Sequence, residues 1–234
     1  MPTAIITGAS RGLGLALART LADRGWELVL DARGGSDLER VARELGAVTK
    51  VVAVPGNVAD EWHRTALVDA AGGRIDLLVN NASVLGVSPQ PALSRYPLDE
   101  LERVYRVNVL APLALIQSAL ACLPDGGCII NVTSDAAIEP YAGWGGYGSS
   151  KAALEQISAI LAVEHPALRV YTVDPGDMRT RMHQEAFPGE DISDRPGPEE
   201  SVPGLVALVE GKLASGRYRA RELAATAGNR AVRV

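Results

Sequence analysis

Residues 3–14 read Thr3-Ala4-Ile5-Ile6-Thr7-Gly8-Ala9-Ser10-Arg11-Gly12-Leu13-Gly14, and this stretch decides the fold. Ala4-Ile5-Ile6 is a short apolar run of strand type, and a glycine-rich turn follows it at once. Leu13, Leu17 and Leu21 then recur at helical spacing up to a stop at Gly25. A strand that runs into a glycine turn and leaves it as a helix is the context that gives such a pattern meaning. Gly8 permits the tight turn, Gly12 the close approach of a pyrophosphate, and Gly14 the contact of helix with sheet, while free amides at the helix N-terminus favour phosphate. The spacing is Gly-x-x-x-Gly-x-Gly rather than the commoner dinucleotide pattern, and a turn without ligand is the alternative.

The alternation continues outward. Strand-like runs recur at 28–30, 51–54, 75–79, 128–133 and 169–173. Helical patterns lie between them: from an N-cap at Ser36 to Leu45, over 60–71, over 98–123 behind a loop containing Pro89, Pro91 and Pro97, and through Tyr147 to about Glu164. Nearly uncharged strands alternating with helices indicate an α/β fold, a doubly wound parallel sheet covered on both faces. Its crevice lies beyond the carboxyl ends of the strands, where each glycine-rich or polar element of this chain falls. No repeat or linker interrupts the pattern, so residues 1–234 are read as a single domain. Residues 175–200 lose the rhythm: Pro175, Gly176, Pro188, Gly189, Pro196, Gly197 and Pro198 suit a substrate-binding loop, a plain surface loop being the alternative. A helix over 201–213 follows. The basic tail (Arg217, Arg219, Arg221, Arg230, Arg233) reads as a solvated surface.

Composition narrows the function. The chain has 234 residues, 47% hydrophobic and 22% charged, with a net charge of −5 that argues against a nucleic-acid partner. Cys122 and Cys128 stand in apolar contexts and read as buried thiols rather than a disulfide. No metal site is expected. Val107–Pro124 carries no charge but contains Asn108, Pro112 and Gln117, so it is read as a buried core helix rather than a bilayer span. No cationic leader precedes the first strand, and a cytoplasmic protein without a membrane partner is expected.

A second stretch carries chemistry. Thr133-Ser134-Asp135 follows the apolar run Cys128-Ile129-Ile130-Asn131-Val132, and Tyr147-Gly148-Ser149-Ser150-Lys151 comes thirteen residues after the serine. A tyrosine and a lysine four apart share a helix face. An ammonium beside a phenol favours phenolate. With a strand-end hydroxyl they make a candidate proton-handling site, although Tyr-x-x-x-Lys alone also arises by chance.

Thr7-Gly8-Ala9-Ser10-Arg11-Gly12-Leu13-Gly14, Asn80-Asn81-Ala82, Asn108, Ser134, Tyr147-x-x-x-Lys151 and Pro175-Gly176, in this order and spacing, resemble the short-chain dehydrogenase/reductase family over residues 3–180. The resemblance implies a Rossmann-type domain that uses NAD(H) or NADP(H). It implies that Tyr147 is the acid for ketone reduction and the base for alcohol oxidation, and that Lys151 binds the nicotinamide ribose. Ser134 would hydrogen-bond the substrate oxygen, and Asn108 would hold a water that connects the lysine to solvent. Free tyrosine titrates near pH 10, so work near neutrality asks for roughly three pH units, or about 4 kcal/mol, with Lys151 and the oxidised nicotinamide as the sources of positive charge. The residues implied around the cofactor are Gly8, Ser10, Arg11, Gly12, Leu13, Gly14, Arg33, Asn57, Val58, Asn80, Ala82, Tyr147, Lys151, Pro175, Gly176 and Thr180. Asn80 is the expected cofactor contact of its motif and Asn81 the brace, while Ser83 replaces the family's usual glycine and Asn57 its usual aspartate.

Cofactor choice is read from the second strand. The NAD-selecting acidic position falls on Ala32. Asp31 is one residue early and so on the other face, and Arg33 follows. Arg33 and Arg11 without an opposing carboxylate suit a 2′-phosphate, which favours NADP(H) over NAD(H). Val84, Leu85, Asp135, Trp144, Met178 and Met182 are candidate pocket residues. The expected activity is oxidoreduction between NADP(H) and a small carbonyl or secondary-alcohol substrate, by a homo-oligomer paired through its long helices (98–123 and 145–164). The alternatives are a cofactor-sensing regulatory or scaffold protein without turnover, and an epimerase or dehydratase using the same tyrosine and lysine.

Overall fold

The computed structural model describes residues 1–224, so Arg230 and Arg233 of the basic tail lie outside the described residues. In chain order the elements are β1 (Thr3–Ile6), α1 (Gly12–Asp23), β2 (Glu27–Ala32), α2 (Gly35–Leu45), β3 (Val51–Pro55), α3 (Glu61–Ala70), β4 (Leu77–Asn80), α4 (Leu98–Tyr105), α5 (Ala111–Ala119), β5 (Cys128–Val132), α6 (Gly145–Glu164), β6 (Arg169–Asp174), α7 (Arg181–Ala186), α8 (Val202–Glu210) and β7 (Gly216–Arg219). The strands form one seven-stranded sheet in the order β3-β2-β1-β4-β5-β6-β7. Every pairing is parallel, as in Ile5↔Val29, Ile5↔Leu78 and Leu78↔Ile129. β1 has β2 on one side and β4 on the other, so the strand order reverses there and a crevice opens above it.

Period-two alternation along the strands builds two cores. Ile5, Val29, Leu78 and Ile129 face one way and pack on Leu67 of α3, Leu115 and Ile116 of α5, and Leu161 of α6. Ala4, Ile6, Leu28, Leu30, Val79 and Ile130 face the other way, onto Leu17 and Leu21 of α1, Leu38 and Val41 of α2, and Leu205 and Leu208 of α8. Both faces are covered, and for this reason the central strands carry almost no polar side chains. α1 stops where the sequence places the stop. Gly25, at φ +78°, lets its N–H reach Ala22 O at 2.9 Å while Trp26 N–H reaches Leu21 O at 3.1 Å, which satisfies two orphaned carbonyls.

Several local readings are corrected. Ser36 does not cap α2: the helix opens at Gly35 on the extended Gly34, and Asp37 supplies the acidic charge of its first turn. The 98–123 helix is not uniform. Between α4 and α5 the turn Arg106–Leu110 widens to a π-turn, because Pro112 has no N–H to give the Asn108 carbonyl four residues back. Leu98–Cys122 is long and apolar enough to cross a bilayer by length and composition, yet Ala111, Leu115, Ile116 and Ala119 of its second half are buried in the core. Residues 175–200 hold a helix, α7, that the sequence pattern missed. Cys122 is only half-buried, whereas Cys128 is buried and its thiol is pushed up to about 12 by burial.

Candidate active site

A single cavity of about 1040 Å3 spans the carboxyl edge of the sheet, from Arg33 and Asp37 at one end to Trp144 and Phe187 at the other. The glycine turn forms its floor. A Cβ on Gly14 would stand 2.5 Å from Gly8 O, so this residue is glycine because α1 lies against the turn. Gly12 differs. It holds φ +57°, and a Cβ there would meet nothing nearer than Thr180 Cγ2 at 3.6 Å, so its bare backbone faces the open cavity. That cradle, at the N-terminus of α1 between Ser10, Arg11 and Thr180, fits a pyrophosphate.

Asn81 holds the turn in place, its Nδ2 donating to Thr7 O at 2.8 Å and Gly8 O at 3.1 Å. Asp31 holds it from the other side: buried to 1% exposure, it accepts from Gly8 N–H at 3.3 Å and lies 2.6 Å from His63 Nε2. Asp31 is thus committed inward, while the Arg33 and Arg11 side chains are exposed and make no ion pair among the described residues.

β5 delivers Ser134 at its end, and the first two turns of α6 deliver Tyr147 and Lys151. Gly148 allows this approach, since a Cβ there would stand 2.5 Å from Ala136 O. Tyr147 and Lys151 are buried, at 8% and 2% exposure. Lys151 Nζ donates to Val132 O at 2.9 Å and stands 5.4 Å from the centre of the Tyr147 ring. Ser134 Oγ donates to Asp135 Oδ1 at 2.8 Å, and Tyr141 Oη donates to Asp135 Oδ2 at 2.9 Å. Burial pushes the Tyr147 phenol up, Asp174 and Asp135 push the same way, and the Ser83 and Ser134 hydroxyls pull it back. Lys151 is therefore not the dominant influence on the phenol. Its own ammonium is lowered to about 8 by burial, against the pull of Glu155.

Of the residues expected around the cofactor, Gly8, Ser10, Arg11, Gly12, Leu13, Arg33, Asn57, Val58, Ala82, Tyr147, Lys151, Pro175, Gly176 and Thr180 line the cavity, as does Ser134. So do all six candidate pocket residues, Val84, Leu85, Asp135, Trp144, Met178 and Met182. Gly14 lies behind the turn. Asn80 is not on that lining: it ends β4 inside the sheet, 3% exposed, with its Nδ2 on Asn131 Oδ1 at 2.8 Å. Asn108 is also withdrawn, fully buried, with all its amide capacity used. Nδ2 donates to Val84 O and Ser150 Oγ, and Oδ1 accepts from Ser83 Oγ at 3.1 Å and Val84 N–H at 2.9 Å. It ties the loop after β4 to α6, with Ser83, the residue in place of glycine, as its link to the cavity.

Sequence reading missed His63, Tyr141, Phe187, Glu155 and Arg217. Glu155 carried a signal, standing one helical turn beyond Lys151. Arg217, from β7, donates to Glu155 Oε1 at 3.0 Å and to both Asp174 Oδ2 and Ser134 O at 3.3 Å. Nothing in its local sequence distinguished it from the other tail arginines.

Comparison with known proteins agrees with this geometry. The family model for short chain dehydrogenases matches residues 2–191. The chain is 34% identical to sepiapterin reductase of Bos taurus, over 78% of this chain and 74% of that one. It is 33% identical to the (S)-benzoin-forming benzil reductase of Saccharomyces cerevisiae, over 85% of this chain and 78% of that one. Its fold superposes on an alcohol dehydrogenase from Thermococcus sibiricus complexed with 5-hydroxy-NADP with a TM-score of 0.84 at 27% identity, covering 94% of this chain and 95% of that one. With a parallel Rossmann-type sheet, a glycine cradle and a buried tyrosine–lysine pair sharing one cavity, the chain belongs to the short-chain dehydrogenase family, NAD(P)-dependent oxidoreductases of alcohol and carbonyl groups.

Proposed function

We propose that this protein reduces a ketone to a secondary alcohol, and runs the reverse oxidation, with NADP(H) as its cofactor. The observation that carries the reading is the convergence of Ser134, Tyr147 and Lys151 on the cavity floored by the glycine turn. NADPH, when bound, supplies the hydride. Ser134 turns its hydroxyl from Asp135 to the substrate oxygen and stabilises the charge that develops there. Tyr147, kept protonated by burial and by Asp174 and Asp135, gives its proton to that oxygen. Lys151, fixed by Val132 O, stabilises the phenolate left behind and reaches the ribose hydroxyls. Asn108 acts through Ser83 rather than at the reacting atoms.

Arg33 and Arg11 carry the preference for NADP(H): both are exposed residues on the cavity lining, and Asp31 is occupied by Gly8 and His63. Residues 175–200, with α7, serve as the substrate-binding loop, and the protein works in the cytoplasm. Exposed Leu98, Leu110, Ile160 and Val163 on the long helices support a homo-oligomer formed through those faces.

An absorbance assay at the reduced-nicotinamide band, run with both cofactors over mixed ketones and alcohols, tests the reading. Tyr147→Phe is expected to abolish turnover and retain NADPH binding, and near-normal turnover would reject the role given to the phenol. The cofactor-sensing alternative requires tight NADPH binding with no redox change over the whole panel, and the epimerase or dehydratase alternative requires cofactor recycling without net consumption.

A further inference from the structure

The chain has few aromatic residues: three Trp, six Tyr and one Phe. Four of them, Tyr141, Trp144, Tyr147 and Phe187, line the Ser134–Tyr147 end of the large cavity. Trp144 sits at the hub, with ring centres 5.9 Å from Tyr147, 5.8 Å from Phe187 and 6.3 Å from Tyr141. Leu85, Met182 and Ala186 pack on the same cluster, apart from the two main cores. His183 packs on Phe187 with ring centres 4.9 Å apart and the planes tilted by 40°, and its buried Nε2 has no hydrogen-bond partner among the described residues. Asp135, beside Ser134, has no cationic partner among the described residues, and Arg103 and Arg181, which reach the cavity, are taken by Glu100 and Glu185, while Arg179 on the same lining gives its Nη1 to Ser193 O at 3.2 Å.

On the reductase reading above, we propose that the substrate is a neutral aryl ketone. Its ring lies along the Trp144–Phe187 wall, and its carbonyl points at Ser134 and Tyr147. The C=O π bond breaks as carbon takes the hydride of the reduced nicotinamide and oxygen takes the Tyr147 proton, leaving an aryl carbinol and oxidised cofactor. A carboxylate on the substrate would face Asp135 and be repelled.

The test compares acetophenone with cyclohexyl methyl ketone, and methyl benzoylformate with benzoylformate, as kcat/KM with NADPH. Calorimetry of 1-phenylethanol against 1-cyclohexylethanol on the NADP+ complex runs in parallel. The aryl member is expected to lead by roughly tenfold in both readouts, the size of one aromatic contact. Phe187→Leu is expected to bring that ratio toward one, and the ester is expected to be preferred to the acid. Equal use of the aryl and cyclohexyl ketones, or preference for benzoylformate, overturns the inference even where turnover is robust. Preferential binding of the aryl carbinol that depends on Phe187, without turnover of any ketone, upholds the aryl site and rejects the reductase reading instead.

Discussion

Arg217 on β7 and Glu155 on α6 meet at 3.0 Å, one helical turn beyond Lys151. Glu155 Oε1 also receives the Thr133 hydroxyl at 2.6 Å, and the same guanidinium spans Asp174 and the Ser134 carbonyl. One cation therefore balances two carboxylates, one acting on Lys151 and the other on Tyr147. Its side chain is 24% exposed and those of Glu155 and Asp174 are 17% and 6% exposed, so Arg217→Gln strips the guanidinium from two largely desolvated carboxylates. A loss of about 3 kcal/mol in denaturant unfolding is expected. In a Glu155→Gln background the same change should cost clearly less, and strict additivity in this double-mutant cycle would show that the pair is not coupled.

Asp31 separates two readings of the cofactor end. An acidic residue on the ribose would change cofactor preference when removed. An inward brace on Gly8 and His63 would instead weaken the turn for either cofactor. Asp31→Asn is expected to cost about 2 kcal/mol of stability and to raise the Kd of NADPH and NADH in parallel. A selective gain for one of them would contradict the bracing role.

Arg33 should behave in the opposite way. With no carboxylate partner among the described residues, it is available to a 2′-phosphate. Arg33→Ala is expected to raise the NADPH Kd by roughly 10- to 100-fold, as for loss of a charge-assisted hydrogen bond, with little change for NADH. Fluorescence titration with both cofactors reads this directly. A parallel loss for both would move the preference elsewhere.

Lys151, given the phenolate-stabilising role in the proposed mechanism, is held at a cost in stability. Burial lowers its folded pKa to about 8, below the ordinary lysine value of 10.5, so the buried ammonium destabilises the fold at and below neutrality. Lys151→Met removes that cost but leaves the Val132 carbonyl without its donor. The inactive variant is therefore expected to be about 1–2 kcal/mol more stable at pH 7. Between pH 8 and 10.5 the folded lysine has lost its proton while the unfolded one keeps it, so the wild type gains on the variant and the difference closes. Urea unfolding of both proteins at pH 7 and pH 10 checks the sign, and a gap that widens with pH would refute it.

The sequence by itself determined what short-range periodicity can encode. The strand, turn and helix of residues 3–25 and the shared helix face of Tyr147 and Lys151 depend on spacings of two to four residues, which backbone geometry fixes. The order of strand-end motifs likewise located the crevice, because a parallel sheet brings every strand's carboxyl end to one edge. Tertiary structure alone decided which neighbour each side chain chose. Asn80 turned into the sheet toward Asn131, 51 residues away, and Asp31 turned toward His63, 32 residues away. Arg217 crossed from the last described strand to Glu155, and Phe187 came onto Trp144 through a helix whose six residues are too few to show a period. These choices rest on burial and pairing between segments distant in the chain, which local pattern does not contain.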